Sequence, residues 1–289
     1  AEIFGKKSKA TERPLREQNL KGLMNAIPFW IRRPVVAEGM IREIDWATYF
    51  VIRRIMESIT ATIENIGYLG PVREYPLRYY LSTGEKVADV GISGETAIQV
   101  LHQDRISKGE LTERLNIWLK KLGLAEGLIM KETIDPNLFS LEIMSPYTMT
   151  AANIINTGFG VSQILPAIVQ SYLMPSNSTL ILEQPEIHLH PKAQATLADL
   201  LISLTKQGKR FIVETHSEHI ILRLQRRVAE GKIEPSQITI YYFDISKAGV
   251  TIRPIKIDSK GQLLDFPKGF MEEGLEEAYR MALASSAEE

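Results

Sequence analysis

The sequence predicts an α/β protein built on a mostly parallel sheet, and the pattern after Met149 is what predicts it. There, short apolar runs alternate with stretches of ten or more residues at helical spacing. Thr179–Leu182 precedes a helix predicted over 192–206, RFIVE precedes one that runs to Gly231, and Ile238–Phe243 follows as a third strand. Such alternation builds right-handed βαβ units whose strands lie parallel. Gly208 closes the first of these helices, and Ser217 is placed to cap the second. With 289 residues, 44% of them hydrophobic, the chain can bury a substantial core, in one large domain or two small ones.

Residues 1–38 are mixed, and Pro14, Pro28 and Pro34 interrupt any long element. From about Met40, Ile52, Ile55, Met56, Ile59, Ile63 and Ile66 follow the spacing of a helix that buries one face, with Gly67 as its stop. YLGPVREYPLRYY reads as an irregular connector with exposed Arg73 and Arg78. Ser107 to Glu110 forms a capping box ahead of a helix with Leu111, Leu115, Trp118, Leu119 and Leu122 on one face. Asp135-Pro136-Asn137 separates two apolar runs, which predicts a hairpin. The Gly-rich turn NTGFGVSQ opens a helix carrying Ile164, Leu165, Ile168, Val169 and Leu173, and Pro166 is tolerated if it lies near the helix start. In the tail, Thr251–Ile257 pairs with the preceding strand, and LLDFPKGFMEEG leads to a short acidic helix.

Composition removes several function classes. A net charge of -1 offers no global basic field for nucleic acid, although Lys6, Lys7, Lys9, Arg13 and Arg16 make the N-terminus locally positive. Zero cysteines exclude a disulfide framework, thiol catalysis and thiolate metal sites, and fit a cytoplasmic setting. No apolar run approaches the roughly 20 residues a membrane-spanning helix needs, and AEIFGKKSKATERP contains no secretory signal. The first residue is not Met, which leads to the expectation that the chain begins inside a longer gene product.

Ligands of parallel sheets gather at the carboxyl ends of the strands, and two acidic-histidine clusters stand there: ILEQPEIHLHP and VETHSEH. Two chemistries compete for them. His188, His190, His216 and His219 with nearby glutamates form a candidate zinc or dinuclear centre. Alternatively, Glu183 at a strand end is a hard oxygen ligand for Mg²⁺, a polar group just beyond it orients water, and His216 reaches a phosphate from the neighbouring strand. The GFGVS turn at a helix N-terminus adds backbone N–H groups and a helix dipole for another phosphate.

YLGPVREYPLRYY, GFGVSQILP, LILEQPEIHLHPKAQ, VETHSEHIILR and FPKGF, in that order, resemble ABC-type (SMC-like) ATPases. More narrowly, the chain resembles bacterial AAA-type ATPases of the overcoming-lysogenisation-defect group, in the branch ending in a small domain of unknown function. The resemblance implies a P-loop NTPase (ABC ATPase-like) core, with a helical and hairpin middle segment over 1–149, the core over 150–257 and a small family domain over 258–289. It implies an ATPase that binds ATP and Mg²⁺ between head-to-tail protomers of a homodimer and switches a partner, such as a separate nuclease effector, in bacterial antiviral defence. By that resemblance Gly158, Gly160, Ser162 and Gln163 belong to the ABC signature, and Ser162 contacts the γ-phosphate of the nucleotide in the other protomer. Glu183 ends the Walker B strand, His188 to Pro191, including His190, form the D-loop, and His216 is the switch histidine. Asp265 to Glu273 match the closing motif.

Two departures qualify the match. Gln184 stands where a catalytic glutamate is usual; it can hold a water but not take its proton, so either hydrolysis is slow or Glu186 is the base. No G-x-x-x-x-G-K-[ST] run occurs, and FGKKS lacks the upstream glycine and strand of a phosphate loop. A non-hydrolysing scaffold or DNA-binding module is therefore the rival reading, with Arg73, Arg78 and the basic start as its DNA contacts.

Overall fold

The computed structural model describes residues 46–82, 84–135, 137–246, 249–265 and 280–281. The basic N-terminal run, the FPKGF motif and most of the acidic C-terminal helix lie outside them. The chain divides into two compact units, residues 1–64 and 65–289.

In the first unit, α1 spans Trp46–Glu64. The expected helix is present, but its apolar face is only partly covered: Ile52, Met56 and Ile63 are half-buried, and Ile55 and Ile59 are exposed. Ile66 and Gly67 are not part of it. After one turn residue the chain enters β1 (Ile66–Leu69), so Gly67 is a strand residue and not a stop.

In the second unit, β1, β6 (Thr179–Glu183) and β7 (Arg210–Glu214) form a parallel sheet in the order β1–β6–β7. The strand expected at Ile238–Phe243 is observed as β8 (Ile240–Ser246), yet it does not join this sheet. It pairs antiparallel with β9 (Gly249–Ile257), which pairs with β10 (Leu263–Leu264). The third parallel strand is β1, made half from the end of the expected helix, Ile66 and Gly67, and half from the start of the connector, Tyr68 and Leu69.

Between β1 and β6 lie β2 (Tyr80–Leu81), α2 (Ala97–Ser107), α3 (Glu110–Leu122), β3 (Gly127–Glu132), β4 (Leu138–Met144), β5 (Ala151–Asn153) and α4 (Phe159–Leu173). The hairpin expected around Asp135 is the β3–β4 pair. The helix expected after it is α3, which buries Leu115, Trp118, Leu119 and Leu122. Its cap differs from expectation. Ser107 belongs to α2 and donates to Asp104 O, while the Asp104 carboxylate accepts the Leu111 and Thr112 N–H groups that open α3. A side chain from the preceding helix thus does the capping expected of the Ser-x-x-Glu box.

Pro166 lies in the middle of α4, not in its first turn, and its ring packs where Gly94, at φ +79°, leaves no room for a Cβ. Lys209, buried at the start of β7, closes the other end of α4 by donating to the carbonyls of Ser171 and Tyr172. A cation there also meets the negative end of the helix dipole.

α5 (Pro191–Thr205) follows β6, and α6 (Glu218–Ala229) follows β7. The two are bound by ion pairs from Asp199 to Arg223 and Arg227 at 2.5–2.8 Å. One core joins the middle elements to the parallel sheet: Leu69, Leu115, Trp118, Phe139, Leu165, Leu182, Leu197 and Ile220 belong to it. It covers one face of the sheet. On the other face Ile66, Tyr68 and Ile212 are 41–58% exposed, although parallel sheets ordinarily have both faces covered. Among the described residues, no helix is long and apolar enough to cross a membrane.

Candidate functional site

The carboxyl ends of β6 and β7 carry the candidate site. Parallel register places Glu183 opposite Glu214, so both carboxylates lie on the same, exposed face of neighbouring strand ends. Like charges at paired positions repel, and a divalent cation with oxygen ligands relieves that repulsion. Tyr68 of β1 donates its hydroxyl to Glu183 Oε1 at 2.9 Å, a bond that raises the tyrosine's pKa above its ordinary value. The phenol is therefore a fixed donor that orients the carboxylate.

Beyond Glu183 the backbone turns sharply. Gln184 takes the left-handed conformation at φ +43°, and His188 does so at +63°. These non-glycine residues each cost on the order of 1–3 kcal/mol and need a surrounding structure that enforces them. Here it consists of Gln184 N–H to Glu214 O, Ile187 N–H to Gln184 O and Leu189 N–H to Glu186 O, at 2.8–3.2 Å. Gln184 itself is half-buried, and among the described residues no hydrogen bond holds its amide side chain.

Glu186 is 6% exposed. Its Oε1 accepts from Thr215 Oγ1 at 2.7 Å and from the His216 N–H at 2.9 Å, while Oε2 is buried without a partner. The carboxylate is thus a strut between the two strand-end loops. A second tie runs beside it: Gln194 donates to Leu189 O and accepts from Ser217 Oγ, which also caps α6 as expected.

The GFGVSQ turn forms the N-terminus of α4, with Gly158 as N-cap and no side-chain cap. Gly160 faces the turn after β6: a Cβ there would lie 3.1 Å from His188 O. Phe159 is partly exposed and lies edge-on to Tyr75 at 5.2 Å and tilted against His188 at 5.5 Å. Ser162 and Gln163 lie within the helix and are buried, and Ser162 Oγ donates to Phe159 O. His190 is exposed and caps α5 through Nδ1, which accepts from Ala193 N–H at 3.3 Å. The fold thus brings Glu183, Gln184, Glu186 and His216 together at adjacent strand ends and sets Gly160 against the same turn.

Two glycines separate packing from chemistry. A Cβ at Gly158 meets open space and its φ is ordinary, so Gly158→Ala is expected to leave stability within about 0.5 kcal/mol of the parent. Gly160→Ala presses on a backbone carbonyl and is expected to cost about 1–3 kcal/mol. Urea denaturation of both variants checks the contrast.

The histidines do not assemble a metal centre. Among the described residues, no three His, Asp or Glu side chains converge on a common point. His190 caps a helix, His219 lies within α6, and His102, the fifth, stacks on Phe139.

Sequence reading overlooked Tyr68, placed Arg73 on the surface, and counted Glu214 only as a member of the second acidic-histidine cluster. Arg73 is not exposed: it is 3% accessible and donates to the carbonyls of Pro71, Glu183 and Gln184. It is unavailable as a DNA contact, whereas Arg78 is exposed. The alternation of β1 held a usable signal, since it puts Tyr68 on the same sheet face as Glu183.

Residues 102–221 match the model of the AAA ATPase domain, and residues 233–278 match a family described as protein of unknown function (DUF3696). No curated protein matches the chain. A structure described under ATP-driven dimerisation and DNA-stimulated activation of SMC ATPases is 12% identical, covering 63% of this chain and 97% of its own, with a TM-score of 0.40. An Smc head bound to the C-terminal winged-helix domain of ScpA gives 13%, 73% and 62%, with 0.43. The Smc head with an extended coiled coil from Pyrococcus furiosus, bound to the C-terminal domain of ScpA, gives 13%, 84% and 50%, with 0.39. The mixed α/β fold with its parallel sheet is consistent with a P-loop NTPase-like core.

Proposed function

We propose that the carboxyl edge of β1–β6–β7 is the metal- and water-handling part of an ATP site of the ABC/SMC type, and that the protein hydrolyses ATP slowly. The observation that carries this reading is the paired Glu183 and Glu214 at adjacent strand ends, with Tyr68 orienting Glu183 and the uncapped α4 N-terminus approaching the same turn. Glu183 and Glu214 are hard oxygen donors suited to Mg²⁺, which needs only one or two carboxylates beside phosphate oxygens. When bound, the cation neutralises charge on the phosphates. Gln184 holds water at the turn, and His216 and the N–H groups around Gly158 and Gly160 receive phosphate oxygens.

The reading needs a triphosphate cradle that these 289 residues do not carry as a G-x-x-x-x-G-K-[ST] run. The exposed apolar face of the parallel sheet offers a surface against which such a layer packs. Tyr75, Phe159 and His188, clustered at the start of α4, form the face we assign to a head-to-tail second copy. A partner or effector switched by that closure, in antiviral defence, is the wider role we infer. The test is Mg²⁺-dependent ATP hydrolysis by the full-length protein beside Glu183→Ala. Turnover above the variant's background supports the reading, and equal rates overturn it.

A second reading, a nucleotide-dependent scaffold that does not hydrolyse, draws on one observation. Glu186 is buried with Oε1 already occupied, and Gln184 cannot accept a proton. Mg²⁺-dependent ATP binding with no turnover would select it.

A further inference from the structure

Arg73 is more deeply buried than any other charged side chain among the described residues. Removing a guanidinium from water costs several kcal/mol unless its donors are met. Three are met by backbone alone: Nη1 donates to Pro71 O at 2.9 Å and to Gln184 O at 3.3 Å, and Nη2 donates to Glu183 O at 3.1 Å. Nε is buried without a partner. Burial lowers the pKa of the guanidinium, and the carboxylates of Glu186 and Glu183 oppose that shift.

The two outer carbonyls are not arbitrary. Glu183 O lies on the peptide plane before the Gln184 Cα and Gln184 O on the plane after it. The rotations between those planes and the Cα are the φ and ψ of Gln184, the residue held at φ +43°. One rigid, planar fork grips both planes. An ammonium on a flexible stem has no such fixed geometry.

We propose that Arg73 is a positioning residue: its guanidinium locks the left-handed Gln184 turn and thereby sets where the Glu183 and Gln184 side chains point. The lock itself is independent of the ATP reading; only its effect on turnover rests on it. Arg73 arrives from the connector that also carries Tyr75, whose ring meets Phe159. The same short segment therefore touches both the strand-end turn and the start of α4.

Amide hydrogen exchange on Arg73→Lys tests the lock without nucleotide. Protection over residues 184–189 is expected to fall about tenfold or more, while α3 and α5 keep theirs within about twofold. Unchanged protection at 184–189 in a folded variant overturns the proposal, and so does an equal loss across every element, which marks Arg73 as a mere plug. Should Arg73→Lys fail to fold, the same measurement on Arg73→Gln decides in its place. If the parent turns over ATP, kcat is expected to fall about tenfold in the variant with KM changed less than about threefold. Absence of turnover in the parent would count against hydrolysis at this site and leave the exchange result to judge Arg73.

Discussion

Gln184→Glu is expected to raise ATP turnover by about 100-fold, the lower end of what a positioned general base contributes. The expectation follows from where the other carboxylates are. Glu183 is engaged by Tyr68 and set beside Glu214, the arrangement of a cation ligand. Glu186 is buried, and its Oε1 already receives Thr215 Oγ1 and the His216 N–H. Neither is placed to collect a proton from water. Gln184 sits at the turn between them, half-buried, with no hydrogen bond on its side chain among the described residues. A glutamate there keeps the size and the left-handed backbone of the parent and adds the missing base. The gain is expected in kcat with KM nearly unchanged, because ground-state contacts are untouched. Steady-state hydrolysis at saturating Mg²⁺ measures it. A rate equal to or below the parent's would mean that the base lies elsewhere.

The contrast between legible and hidden parts follows from the range of the interactions. β6, β7, α5 and α6 were readable because their signals are local: apolar runs of four or five residues, a proline opening α5, a serine capping α6. β1 was hidden because Ile66 continues the isoleucine spacing of α1, and a single turn residue separates the two. The pairing of β8 with β9 instead of β7 is a choice between distant partners, on which local pattern is silent. Arg73 was misread for a sound reason, since arginine is almost never fully buried unless paired. Two of its three carbonyl partners lie more than a hundred residues away, and no spacing announces them. Glu214 stood in a candidate cluster from the sequence, but only register pairs it with Glu183, its Cα partner, which the sequence separates from it by a whole helix. The reading of Glu186 shifted for the same reason, from a candidate base to a strut joining two loops.

That strut sets the second large effect. Glu186→Ala is expected to destabilise the protein by about 3–5 kcal/mol, the cost of removing one partner from a buried charged network. The Thr215 hydroxyl and the His216 N–H lose their acceptor, and the Arg73 guanidinium loses a carboxylate whose field favours its charge. Glu186→Gln is expected to cost less, about 1–3 kcal/mol, because an amide oxygen still accepts both hydrogen bonds while the charge is lost. Urea denaturation separates the cases: the midpoint moves while the slope stays constant if only stability has changed. The order of the two variants matters more than either value, since only a strut makes alanine clearly worse than glutamine in the absence of nucleotide. A base loses its function equally in both substitutions and has no reason to disturb folding. Glu186→Ala as stable as the parent but inactive would make Glu186 the proton acceptor and reduce Gln184 to a residue that merely holds water.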